Sequence, residues 1–205
     1  MQLYLSSIGL GRETHKLKEM LPENRLTAYI PNAIDYSSDI SRRNKSNGQD
    51  MDDLRSVGLD PEILDLRDYF GKKDNLESAL ENFGVIWVRG GNVFVLRQAM
   101  RLSGFDAIIK KLKKRAILYG GYSAGVCVLS PTLHGLDLMD DVSQKPYGDD
   151  IETVWEGLGL IDFSVIPHYP SNPLETDSAK PIIQYFVDNG ITFRTMRDGD
   201  VIIIE

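Results

Sequence analysis

The stretch that most constrains this chain is Arg115-Ala-Ile-Leu-Tyr-Gly-Gly-Tyr-Ser-Ala-Gly-Val-Cys-Val-Leu129. Its apolar run from Ala116 to Tyr119 has the length of a buried strand, and the glycines that follow mark the end of that strand. Gly120 and Gly121 permit a tight turn, and Val126 to Leu129 resume apolar character as a helix start. Between them lies Gly121-Tyr122-Ser123-Ala124-Gly125, a G-x-S-x-G pattern. A serine in a strained strand-to-helix turn, with glycines relieving crowding on both sides, is lifted above the sheet edge as a nucleophile. The Ala124 N–H then points at a developing oxyanion. The plainer reading is a glycine-rich turn whose serine caps a helix. The rest of the chain must supply the partners that decide between them.

Taken in order, the chain alternates strand and helix patterns. Leu3 to Gly11 reads as a strand ending in a glycine turn, and Glu13 to Leu21 as a helix. That turn lacks the third glycine and the acidic residue of a dinucleotide fingerprint, so no cofactor is expected. A second strand spans 24–34 and stops near Pro31; 35–48 is polar and serine-rich, a long loop or helix start; Met51 to Val57 is a helix candidate. Glu62 to Arg67 reads as a third strand, Asn75 to Phe83 as a helix closed by Gly84, and Val85 to Val88 as a fourth strand ending in Arg89-Gly90-Gly91-Asn92. Helices over 93–102 and 105–112 lead to the Ser123 strand. This alternation predicts an α/β fold with a mostly parallel sheet between helical layers, in one domain over 1–205. Active groups in such sheets gather at the carboxyl ends of the strands, so both glycine turns should face one edge.

Composition narrows the function class. A net charge of -7 with no long basic block argues against a nucleic-acid partner. A single cysteine excludes an intrachain disulfide, and no Cys/His spacing suits a metal. No apolar run approaches the ~18 residues a membrane helix needs, and Met1-Gln-Leu-Tyr-Leu has no signal-peptide pattern. A cytoplasmic protein acting on a small molecule is the expectation, with oligomeric state left open.

A serine nucleophile needs a base and an orienting acid. Of three histidines, His15 lies on the first helix and His134 in a turn, whereas His168 follows the strand-like Phe163 to Pro167 and should cap the same carboxyl edge. Asp137 and Asp198 are the candidate acids, and chemistry alone leaves that choice open. Asp198-Gly199 also reads as the tip of a hairpin between 191–196 and 201–204. Gly90-Gly91 can bring a second backbone N–H, that of Gly91, to an oxyanion, and Asn92 can cap the next helix or meet substrate.

Together, Gly90-Gly91-Asn92, Gly121-Tyr-Ser-Ala-Gly125, Ile166-Pro-His-Tyr169 and a late Asp-Gly resemble the peptidase E family of aspartyl-dipeptidase-like serine peptidases, which has cyanophycinase relatives. The resemblance covers roughly residues 80 to 200. It implies a three-layer α/β sandwich akin to class I glutaminase and flavodoxin-like domains, Ser123 as nucleophile, His168 as base and a small peptide as substrate. The family's acid sits in a late Pro-Glu-Gly turn, which Met196-Arg197-Asp198-Gly199 resembles, so the resemblance favours Asp198, with Asp137 as runner-up. Two departures bear on substrate. Arg89 stands where the family has a third glycine, and Asp177, in Glu175-Thr176-Asp177, stands where it has the arginine expected to pair with a substrate carboxylate. Arg89 and Asn92 are therefore the candidate substrate-binding residues, with weak or altered preference for aspartate. A catalytically silent binding domain, another amidase and a thiol enzyme using Cys127 are the competing readings.

Overall fold

The computed structural model describes residues 1–170 and 179–205. A six-stranded sheet runs in the order β3-β2-β4-β5-β1-β8. Its strands are β1 (Gln2–Ser6), β2 (Leu26–Ile30), β3 (Asp60–Ile63), β4 (Val85–Val88), β5 (Leu118–Tyr122) and β8 (Val201–Ile204). All neighbours are parallel except the edge strand β8, which runs antiparallel to β1. Helices cover both faces: α1 (Thr14–Met20) and α2 (Ile40–Ser56) on one, and α3 (Lys73–Leu80), α4 (Val93–Ser103) and α5 (Phe105–Leu112) on the other. The chain is thus a three-layer α/β protein with a mostly parallel sheet.

The side-chain period of two explains why the strands read as continuous apolar runs. Along β4, Ile86 and Val88 enter the core under α3–α5, while Val85 and Trp87 enter the core under α1 and α2. Tyr4 and Tyr29 likewise project into the second core, between neighbours that project into the first. α4 is buried along most of its length, which matches its position against the sheet centre, and Gly104 ends it in the left-handed conformation.

A second, two-stranded parallel sheet pairs β6 (Ser164–Ile166) with β7 (Phe193–Thr195), joined through α7 (Lys180–Asp188). The alternative reading of 191–204 as a hairpin does not hold: β7 pairs with β6, and β8 crosses to β1. The Asp198-Gly199 turn between them is closed by the Asp200 carboxylate on the Arg197 N–H at 2.8 Å, so a turn signal was present without a hairpin around it. Of the two readings of the polar 35–48 stretch, the helix start holds: α2 begins at Ile40 with Asp39 capping the Arg42 N–H and runs on to Ser56. One other expectation changes. The third strand ends at Ile63, since the Asp65 carboxylate accepts the Arg67 N–H at 2.9 Å and draws Leu66–Tyr69 into a 3-10 turn. No helix among the described residues is long and apolar enough to cross a membrane.

Candidate active site

Ser123 sits between β5 and the short helix α6 (Ala124–Cys127), with φ 50° and ψ -117°. A non-glycine residue at positive φ is uncommon and costs on the order of 1–2 kcal/mol. The flanking glycines make it possible: a Cβ on Gly121 would lie 2.6 Å, and one on Gly125 2.2 Å, from the Val88 carbonyl oxygen. Only bare backbone lets the turn close against the end of β4.

His168 and Asp198 arrive from the second sheet. Because β6 and β7 are parallel and in register, both leave the sheet at the same end. Met196 N–H donates to Ile166 O at 2.9 Å and Tyr169 N–H to Met196 O at 2.8 Å, which carries the pairing past the strands and sets both side chains side by side. His168 Nδ1 lies 2.7 Å from Asp198 Oδ1, and His168 Nε2 lies 3.1 Å from Ser123 Oγ. With Nδ1–H donating to the carboxylate, Nε2 is left to accept the serine proton. His168 is, with Ser123, one of two non-glycine residues at positive φ among those described. Asp198 is 58% exposed, so its bond to His168 adds little to stability, and its influence is on ring orientation.

The end of β1 ties this group to the main sheet. Ser123 N–H donates to Ser6 O at 3.3 Å. The fully buried Ser7 hydroxyl accepts the His168 N–H at 2.9 Å and is 3.3 Å from Asp198 Oδ1 and 3.4 Å from Met196 O, either of which can take its proton. Sequence reasoning missed Ser7, since a lone serine after a strand carries no signal.

Gly91 follows β4 with φ 148°, and a Cβ there would lie 2.3 Å from the Ala33 carbonyl oxygen. Among the described residues neither the Gly91 nor the Ala124 N–H has a hydrogen-bond acceptor. Asn92 caps α4: its Oδ1 accepts the Phe94 and Val95 N–H groups and its Nδ2 donates to Asp141 O. Arg89 is 7% exposed, and its guanidinium donates to Asn47, Ser46 and Gly90 O, with Asp50 at 4.0 Å. The charge of Arg89 is answered inside the protein. Asp137 accepts the Gly135 N–H of its own turn at 3.0 Å and is exposed. His134 stacks on Trp155 at 4.5 Å, and His15 is on the surface near Glu13. Cys127 is buried with its thiol toward Val165 O, and burial pushes its pKa up, away from thiolate chemistry. Glu175-Thr176-Asp177 lies outside the described residues.

Ser123 and His168 open onto a cleft of about 730 Å³ that Gly90, Gly91, Asn92 and Arg89 also line, a volume within the usual range of ligand sites. Asp140, at its wall, accepts the Val93 N–H at 2.7 Å. Burial pushes its carboxyl up to about 6, against the lowering effects of that N–H and of His168. Among the described residues no group of three or more His, Cys, Asp or Glu is arranged to hold a metal ion.

The model of Peptidase family S51 matches residues 9–205. The chain is 32% identical over 133 residues to the uncharacterized peptidase Lmo0363 of Listeria monocytogenes, a match covering 64% of this chain and 62% of that protein. It is 35% identical over 92 residues to peptidase E of Escherichia coli O1:K1, covering 45% of this chain and 37% of that protein. The chain therefore aligns with less than two thirds of the length of these curated relatives. A crystal structure of a Listeria monocytogenes EGD-e protein superposes with a TM-score of 0.68 at 23% identity, covering 100% of this chain and 98% of that one, a likeness of fold.

Proposed function

Because this chain belongs to peptidase family S51, we propose that it is a serine peptidase cleaving short peptides through an acyl-enzyme. The observation that carries this reading is the continuous line from Ser123 Oγ through His168 to Asp198, at 3.1 and 2.7 Å. Ser123 Oγ attacks the scissile carbonyl while His168 Nε2 takes its proton. Asp198 holds the ring in the tautomer that leaves Nε2 free and stabilises the imidazolium. The N–H groups of Gly91 and Ala124 receive the oxyanion, which their lack of an acceptor among the described residues supports. The tetrahedral intermediate collapses, His168 returns the proton to the leaving amine, and water repeats the sequence to release the acyl group. Gly91 and Ala124 belong to a fixed turn and a helix start, so the donors need no reorganisation as charge develops.

The cleft supports weak or altered preference for aspartate before the cut. Arg89, beside the oxyanion turn, has its guanidinium committed to Asn47 and Ser46, and Arg43 pairs with Asp35. The test is hydrolysis of a dipeptide and short-peptide panel by wild type and Ser123→Ala. Turnover by the wild type that vanishes in Ser123→Ala is expected. Turnover retained by a pure Ser123→Ala sample would overturn the mechanism, and wild type that binds peptides without turning them over would mark a silent binding domain.

A further inference from the structure

Seven large apolar side chains are prominently exposed among the described residues, and three of them, Ile8 (47%), Tyr36 (45%) and Met139 (40%), line the cleft that holds Ser123 and His168, whereas Ile40, Ile63 and Val187 lie outside it. Leu138, 52% exposed, adjoins Met139. Single exposed apolar residues need no explanation, but a group gathered on one concave surface marks a binding surface.

Each member comes from a different loop, and each loop is tied to the reacting groups. Ile8 follows Ser6 and Ser7, whose oxygens hold Ser123 and His168. Tyr36 follows the 3-10 turn Asn32–Ile34, whose Ala33 carbonyl accepts the Asn92 N–H at 2.8 Å, beside Gly91. Met139 precedes Asp140, which accepts the Val93 N–H at the start of α4. Three separate connections thus present apolar surface to the cleft that Ser123 lines, and half-buried Ile34 lines it as well.

The polar groups of the cleft are mostly committed elsewhere. Arg43 pairs with Asp35 and Arg89 donates to Asn47 and Ser46. Asp141 accepts from Ser143 and Gln144, and Asp140 from Val93. Arg42, exposed at the outer wall, is the cation of the cleft whose side chain has no hydrogen-bond or ion-pair partner among the described residues.

We propose that Ile8, Tyr36 and Met139 form a specificity surface for a large apolar side chain next to the scissile bond, so that the substrates are short peptides carrying Leu, Phe or Met there rather than an acidic residue. This inference rests on Ser123 being the nucleophile. Burying such a side chain removes apolar surface from water on both partners, which corresponds to a preference of roughly 10- to 100-fold over Ala or Gly.

The experiment is kcat/KM on dipeptides and tripeptides in which each residue flanking the cut is varied through Leu, Phe, Met, Ala, Gly, Asp and Lys. The expected result is a preference of at least about 10-fold for Leu, Phe or Met at one of the two positions. The Tyr36→Ser/Met139→Ser double variant should reduce the Leu-to-Ala ratio to within about 3-fold, because that ratio reports the apolar contact alone. A wild type that favours Asp, through Arg42 or otherwise, or that is indifferent to side-chain size, would overturn the inference. So would a double variant that keeps the wild-type ratio, or that only changes the oligomeric state by size-exclusion chromatography, since the surface would then be an interface between copies. Activity surviving Ser123→Ala would instead defeat the nucleophile assignment, a distinguishable failure. Should the double variant not fold, the wild-type panel still decides.

Discussion

Replacing Ser7 by alanine removes a hydroxyl that touches both His168 and Asp198 without lining the cleft. Ser7 Oγ accepts the His168 N–H at 2.9 Å and is 3.3 Å from Asp198 Oδ1. Ser7 has no solvent exposure, so water does not readily take its place. An N–H left without its acceptor costs about 1–3 kcal/mol. His168 is also held at φ 55°, a backbone conformation that costs about 1–2 kcal/mol and persists only while its surroundings hold it there. Stability should therefore fall by ~1–3 kcal/mol in urea unfolding. If about 1.4–2.7 kcal/mol of this appears as a displaced imidazole, kcat falls roughly 10- to 100-fold. KM should stay within about 2-fold, because the substrate-facing surface is unchanged. Ser7→Thr restores the hydroxyl and should recover most of the loss in kcat. A Ser7→Ala protein with the expected loss of stability but unchanged kcat would refute the positioning role. So would an effect confined to KM.

Three further outcomes follow from the same geometry. Asp198→Asn should lower kcat by ~10³- to 10⁴-fold by releasing the imidazole tautomer, whereas Asp137→Asn, which disturbs only its own turn, should change it less than ~3-fold; steady-state kinetics of the pair would reverse the assignment if the order were opposite. Asp140 has its carboxyl raised to about 6, so the folded protein holds that proton more tightly than the unfolded chain, and the resulting stability is present below about pH 4 and lost as pH rises through 6. Asp140→Asn should therefore gain about 2 kcal/mol on wild type between pH 4 and pH 7 in urea titrations, and a flat or reversed difference would contradict the burial argument. Gly91→Ala places a methyl 2.3 Å from the Ala33 carbonyl oxygen and should cost ~1–3 kcal/mol of stability together with kcat; a fully active, fully stable variant would show that the turn has room to move.

The parts of this molecule that were legible in the sequence are those where one physical demand dominates. β4 and β5 lie inside a sheet covered on both faces, so they must be apolar throughout. Gly121 and Gly125 are dictated by the approach of Val88, which made Ser123 easy to find. α2 was obscured because it lies on the surface with only Asn47 and Leu54 buried, leaving no apolar stripe to read. The Asp198-Gly199 turn has the chemistry of a hairpin tip, and nothing local says that its two flanking strands join different sheets. Ser7 and Asp140 were invisible for a related reason. A serine after a strand and an aspartate in Met139-Asp140-Asp141 look like ordinary surface residues, and their partners, His168 and Val93, are 161 and 47 positions away. Arg89 looked available for substrate beside a glycine turn, but its answer lies on α2, in Ser46 and Asn47.

The most direct test of the central claim is to locate the nucleophile covalently, by treating the protein with a fluorophosphonate probe and mapping the adduct by peptide mass spectrometry. The expected outcome is a single adduct on Ser123, absent from Ser123→Ala and formed much more slowly by His168→Ala, whose serine has lost its base 3.1 Å away. An adduct on another residue, or a preparation that hydrolyses peptides yet carries no adduct at Ser123, would contradict the account.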